Sequence, residues 1–117
     1  MKAEALKGHL DALLLATLEP GPRHGYAIME ALRTGSGGRI DLPTGTVYPA
    51  LHRLERGGLI ASSWSVVGGR RRRTYTLTPA GRRALGAERT AWREFTGAVS
   101  ALLGPAAPTP NPQPAAT

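Results

Sequence analysis

The 117-residue sequence carries 15 Lys and Arg against 8 Asp and Glu, a formal net charge of +7, and no cysteine. That length fits one domain with a modest core rather than an added catalytic domain, and the missing thiols exclude disulfides and thiolate metal sites. The longest apolar run, Ala12 to Ala16, is five residues, far short of the roughly 18 a spanning helix needs. With no signal-peptide pattern at its start, the chain is expected to be cytoplasmic and to meet no membrane.

Leu6, Leu10, Leu13, Leu14 and Leu18 recur at helical spacing and predict a first helix that ends near Glu19-Pro20-Gly21-Pro22, its stripe serving as core. A second helix is expected to open near Arg23-His24, to run through Tyr26, Ala27, Ile28, Met29 and Leu32, and to stop at Thr34-Gly35-Ser36-Gly37-Gly38. Arg39, Ile40 and Leu42 suit a short strand that pairs with a later hairpin.

A third helix follows the Pro43-Thr44-Gly45 opening. On a wheel from Thr46 to Arg56, Val47, Ala50, Leu51 and Leu54 fall on one face, and Thr46, Pro49, His52, Arg53 and Arg56 on the other, with Tyr48 at the border. The free side carries hydrogen-bonding, aromatic and cationic groups but no carboxylate, since Glu55 lies on the flank. That balance suits phosphates and base edges, although Arg and His are common on any solvated helix face. Pro49 has no N–H for the carbonyl four residues back and is expected to bend the first turn. Two helices, a connection and a third helix make a helix-turn-helix, whose last helix enters the major groove.

Ile60, Trp64 and Val66 before Gly68-Gly69, and Tyr75 and Leu77 after it, alternate as the apolar positions of a half-buried strand pair. The two glycines supply the positive φ of the turn. Arg70, Arg71, Arg72 and Arg73 come next, a run expected at the hairpin tip. Successive strand side chains face opposite ways, so such a run serves no core and repels itself unless an anion compensates it. Guanidinium forks suit phosphate oxygens along the backbone or inside a narrow minor groove; a solvated loop is the plainer alternative. Residues 61 to 117 hold 8 basic and 2 acidic groups, against 7 and 6 in residues 1 to 60, so the surplus lies in the wing and in the residues C-terminal to it.

Thr78-Pro79 starts a fourth helix with a hydroxyl cap and a proline at the first helical position, and it is expected to continue to Leu103. Leu85, Trp92, Phe95, Val99 and Leu102 show heptad-like spacing with Glu88 as the one polar interruption, a narrow seam suited to pairing with another helix. It could pack on its own domain or on the same helix of a second chain. The expected fold is mainly α with a small β-hairpin: a winged helix-turn-helix over residues 1–78, a C-terminal dimerisation helix over 79–103, and a disordered Pro/Ala-rich tail over 104–117.

Five motifs together give the chain a resemblance to the PadR family of winged-helix transcriptional regulators, in its short form. They are Lys7-Gly8-His9-Leu10-Asp11, Gly21-Pro22-Arg23-His24-Gly25-Tyr26, Gly45-Thr46-Val47-Tyr48-Pro49-Ala50-Leu51-His52-Arg53-Leu54-Glu55, Gly58-Leu59-Ile60, and Arg73-Thr74-Tyr75-Thr76-Leu77-Thr78-Pro79-Ala80-Gly81. The resemblance implies a nucleoid-associated homodimer that binds a double-stranded operator with an inverted repeat, usually as a repressor, and releases it when a small-molecule effector or other signal arrives. DNA would then meet His24, Thr46, Tyr48, Pro49, His52, Arg53 and Arg56, with the wing arginines Arg70 to Arg73 on the backbone or minor groove. This chain departs from the family in placing Pro43-Thr44 where Ser-Pro often precedes the Gly-Thr, and in its short fourth helix.

No enzymatic constellation competes. His9, His24 and His52 lack ligand spacing with one another, Ser62-Ser63 has no nearby base, and no glycine-rich loop precedes a Lys-Ser or Lys-Thr pair. No cofactor is expected. The rival to a DNA reader is a winged-helix interaction module that docks a partner through the Trp92 and Phe95 seam.

Overall fold

The computed structural model describes Leu6 and residues 8 to 104. Its elements are α1 (Leu10–Leu18), β1 (Arg23–His24), α2 (Gly25–Gly35), α3 (Thr44–Arg56), β2 (Ile60–Val67), β3 (Arg70–Leu77) and α4 (Pro79–Leu103). The described residues fall into two compact units, divided between Ala87 and Glu88. The tail expected to be disordered lies, beyond Gly104, outside the described residues.

The core of the first unit gathers one face of each helix. Leu14, Leu15 and Leu18 of α1, Ile28 and Leu32 of α2, and Val47, Ala50, Leu51 and Leu54 of α3 are buried together with Ile60, Tyr75 and Leu77 of the hairpin and Leu85 of α4. Each Leu, Ile or Val among them contributes about 1.5 to 3 kcal/mol relative to exposure. The four α3 positions are those the helical wheel singles out, and their burial fixes which face of α3 is left outside. Leu6, expected inside the first helix, is buried although it precedes the helix.

Helix α3 ends in a Schellman motif. Leu59 N–H reaches Leu54 O at 3.0 Å and Gly58 N–H reaches Glu55 O at 3.0 Å, with Gly58 at φ +77°, a conformation that glycine adopts without strain. The reversal sends the chain into β2. At Gly68 and Gly69, φ values of +58° and +79° close the two-residue hairpin turn.

The second helix opens where expected, near Arg23-His24, with His24 as its N-cap and Gly25 as its first residue, but the structure adds a strand there: Arg23–His24 runs antiparallel to β3 with Arg23 opposite Tyr75 and His24 opposite Thr74. One segment departs from the sequence expectation. The segment Arg39 to Leu42 forms no strand; the sheet order is β1-β3-β2, and Leu42 instead joins the core. Helix α3 runs unbroken through Pro49.

In the hairpin, Ile60 faces Leu77, Ser62 faces Tyr75, Trp64 faces Arg73 and Val66 faces Arg71. Burial stops half-way along: Ile60, Tyr75 and Leu77 are in the core, whereas Trp64 and Val66 are exposed. The outer half of the hairpin therefore projects past the core. At its foot, Thr78 Oγ1 accepts from Gly81 N–H at 3.0 Å and donates to Gly58 O at 2.7 Å. The threonine caps α4 and ties its start to the end of α3. A Cβ at Gly81 would strike the Leu59 carbonyl and lie 2.8 Å from Leu77 Cδ1, so α4 docks there backbone against backbone.

Candidate nucleic-acid interface

Burial of Val47, Ala50, Leu51 and Leu54 turns Pro49, His52, Arg53 and Arg56 to solvent, with Thr46 partly covered and Tyr48 40% exposed. Arg53 is not idle on this face. Its Nη2 lies 2.6 Å from Asp11 Oδ1 on α1, a partner no local pattern links to it.

The arginine run is not confined to the hairpin tip: it descends β3, and its members divide between the two faces of the sheet. Arg71 and Arg73 lie with Trp64, their guanidinium carbons 4.8 Å and 5.7 Å from its ring centroid, at cation–π range. Arg73 also donates to Ser62 Oγ at 2.8 Å and pairs with Glu55 Oε2 at 3.4 Å. Ser62 in turn donates to Glu55 at 2.5 Å. That hydroxyl, and secondarily Arg73, holds the Glu55 carboxyl below its ordinary pKa. Part of the self-repulsion expected of the run is thus relieved within the protein, by a carboxylate on the flank of α3.

On the other face Arg72, half-buried, places Nη1 2.9 Å from His24 Nε2. His24 is the N-cap of α2, its Nδ1 accepting from Ala27 N–H at 3.2 Å. Beside it a cleft of about 400 Å³ is lined by His24, Tyr26, Tyr48, Arg72, Arg73 and Tyr75. Burial raises the Tyr75 pKa above its ordinary value. β1 thus draws His24 and Tyr26 to the edge of β3 and the opening turns of α3. The sequence reading missed this because two residues have no period.

Of the seam residues, Leu85 is only 3% exposed and belongs to the core of the first unit. In the second unit Trp92 is 52% and Phe95 58% exposed, their ring centroids 5.8 Å apart, while Val99 is partly covered and Leu102 exposed. Among the described residues, no group of three or more His, Cys, Asp and Glu is placed to hold a metal, and no helix is long and apolar enough to cross a membrane.

Three helices, a two-stranded wing and a short third strand define a winged helix-turn-helix protein. The model of the PadR-like family of transcriptional regulators matches residues 14–87, more than half of the chain, and the chain belongs to that family. A transcriptional regulator of Mycobacterium tuberculosis is 44% identical over 77 residues, 66% of this chain and 59% of that protein; the chain therefore spans less than two thirds of that relative. The structure of a PadR family transcription regulator from Clostridium difficile R20291 is similar at TM-score 0.75 and 33% identity, covering 83% of this chain and 100% of that one. A PadR family transcriptional regulator from Eggerthella lenta is similar at TM-score 0.75 and 34% identity, covering 86% and 87%. These relatives are transcriptional regulators, not enzymes.

Proposed function

We propose that this chain is a cytoplasmic, nucleoid-associated homodimer that binds an operator with an inverted repeat, acts as a repressor, and lets go when a small-molecule effector or other signal arrives. The observation that carries the reading is the set of cationic and aromatic groups the first unit leaves exposed, Tyr48, His52, Arg53 and Arg56 on the outer face of α3 and Arg70, Arg71 and Arg73 on β3, with Tyr48, Arg72 and Arg73 lining one cleft. In this reading α3 enters the major groove, and Arg70 to Arg73 with His24 hold phosphates or the adjoining minor groove. Residues 1–78 are the reader, and the helix 79–103 pairs two copies through Trp92, Phe95, Val99 and Leu102. Such pairing presents two copies of α3 to groove segments about 34 to 36 Å apart.

Binding-site selection from randomised duplexes tests this directly: an inverted repeat is expected, and recovery of no preferred sequence overturns the reading. The exposed Trp92–Phe95 pair also fits an interaction module that docks another protein. Salt separates the two, because neutralising phosphates releases counterions and makes affinity fall steeply with salt, whereas docking an apolar seam does not.

A further inference from the structure

His24 is engaged at both ring nitrogens, and the two contacts are chemically incompatible. Nδ1 accepts from Ala27 N–H at 3.2 Å, so in the neutral ring the proton sits on Nε2. Nε2 then points its N–H at Arg72 Nη1, 2.9 Å away, and a guanidinium has no lone pair to receive it. Exchanging the tautomer moves the conflict to Ala27, and protonating the ring places a donor against a donor at both ends. Whichever form the ring takes, at least one of its two contacts sets a donor against a donor, and an anionic acceptor beside Nε2 and the guanidinium would relieve it.

We propose that His24 Nε2–H and the Arg72 guanidinium form a clamp for a single phosphate oxyanion, occupied in the complex by one backbone phosphodiester of the bound duplex. The clamp rests on the DNA-binding reading and gives it a specific chemistry. An oxygen seated beside the pair, with their direct 2.9 Å contact opened, accepts from both, which removes the donor conflict while Nδ1 keeps its cap on α2. The surroundings agree in charge, since the residues lining the cleft include no carboxylate. They agree in shape as well. Tyr48 walls the cleft from α3, packed so tightly on Gly25 that a Cβ there would meet its ring carbons at 2.7 Å. The anion is thereby set beside the opening turns of α3, where a backbone phosphate passes when that helix lies in the major groove. His24 is in this account a registering contact: it fixes α3 along the duplex without reading a base.

The test uses the full chain and the duplex recovered by selection, with each phosphate replaced in turn by an uncharged methylphosphonate. His24→Asn retains a side-chain acceptor for the α2 cap and removes Nε2–H; Arg72→Gln removes the charge on a strand side chain. One methylphosphonate position in each half-site should weaken the wild type about tenfold, the scale of one charge-assisted hydrogen bond. Each variant should lose a similar factor on the unmodified duplex and become indifferent to that position. Thermal melts confirm that the variants fold, and His24→Ser provides a second capping residue if asparagine does not. Unchanged affinity of His24→Asn, or retained sensitivity at that position in either variant, overturns the clamp while wild-type binding keeps the DNA reading intact. A wild type that binds no duplex sinks both. Titration with millimolar inorganic phosphate, followed at the ¹⁵N-labelled His24 ring, provides the other arm: phosphate should compete with the duplex, and saturation of the ring by phosphate with duplex affinity unchanged would assign the site to a free anion and overturn the phosphodiester.

Discussion

Tyr48 on α3 and Gly25 at the start of α2 are packed so closely that no side chain fits between them. A Cβ built on Gly25 would lie 2.7 Å from both Cε1 and Cζ of the tyrosine ring and would collide with its hydroxyl. The ring is 40% exposed, so this contact sets how the phenol stands on the candidate DNA surface.

Gly25→Ala is accordingly expected to push the Tyr48 ring outward, at a stability cost of about 1 to 3 kcal/mol typical of overpacking, and to weaken duplex binding. Thermal melts and fluorescence anisotropy on a labelled duplex measure the two effects. The stability cost should vanish in a Tyr48→Ala background; if it persists there, the collision is not its cause.

The Asp11–Arg53 ion pair predicts opposite effects for its two members. Both side chains are about half exposed, so the pair contributes about 0 to 1 kcal/mol to stability. Asp11→Asn should leave melting nearly unchanged and tighten duplex binding by freeing the guanidinium. Arg53→Ala should relax preference at one position in each half-site, by about 1 to 3 kcal/mol if its fork meets a guanine edge. Weaker binding by Asp11→Asn would show that the carboxylate aims the arginine rather than competing for it.

Glu55 gives the fold a dependence on pH. Its folded-state pKa is depressed below the ordinary 4.5, first by the Ser62 hydroxyl and then by Arg73. The charged form is therefore favoured by folding, and the associated stability is fully present above about 4.5 and fades as pH falls through the lower folded value. In melts recorded from neutral pH downward, the wild type should lose more stability across that acid window than Glu55→Gln. Parallel curves would mean that the carboxylate is not coupled to folding.

For the second unit, Phe95→Glu places a charge on the exposed aromatic pair and should convert dimers to monomers, since an unpaired charge buried at an interface is strongly disfavoured. Light scattering reads the mass, and operator affinity should fall with it. A variant that stays dimeric and binds normally would place the interface elsewhere.

The outer face of α3 was legible from one sequence because an amphipathic helix repeats its pattern over several turns: Val47, Ala50, Leu51 and Leu54 are inside, and His52, Arg53 and Arg56 outside. The bounds of α4 were legible for a related reason. Thr78-Pro79 and Gly104-Pro105 are local signals, and the Thr78 hydroxyl caps the helix as its position suggests. Leu85 was grouped with the seam by spacing alone, and spacing carries no information on where along a helix the core ends.

Short-range chemistry thus determined, from the sequence itself, the order of helices, the hairpin with its paired glycines, the basic wing and the family motifs. Each depends on neighbours within a few residues, whose side-chain periods and backbone preferences act before the chain is folded. Only the tertiary structure decided that Arg23 and His24 form a strand against Thr74 and Tyr75, that Arg53 meets Asp11, and that Arg73 meets Glu55 while Arg72 meets His24. These side-chain partners are 18 to 48 residues apart along the chain except where α3 and the wing are tied through Ser62 and Glu55, 7 apart. No periodicity encodes a contact between segments that meet only once the core has closed, and four identical arginines acquired different environments because alternate strand positions face different neighbours.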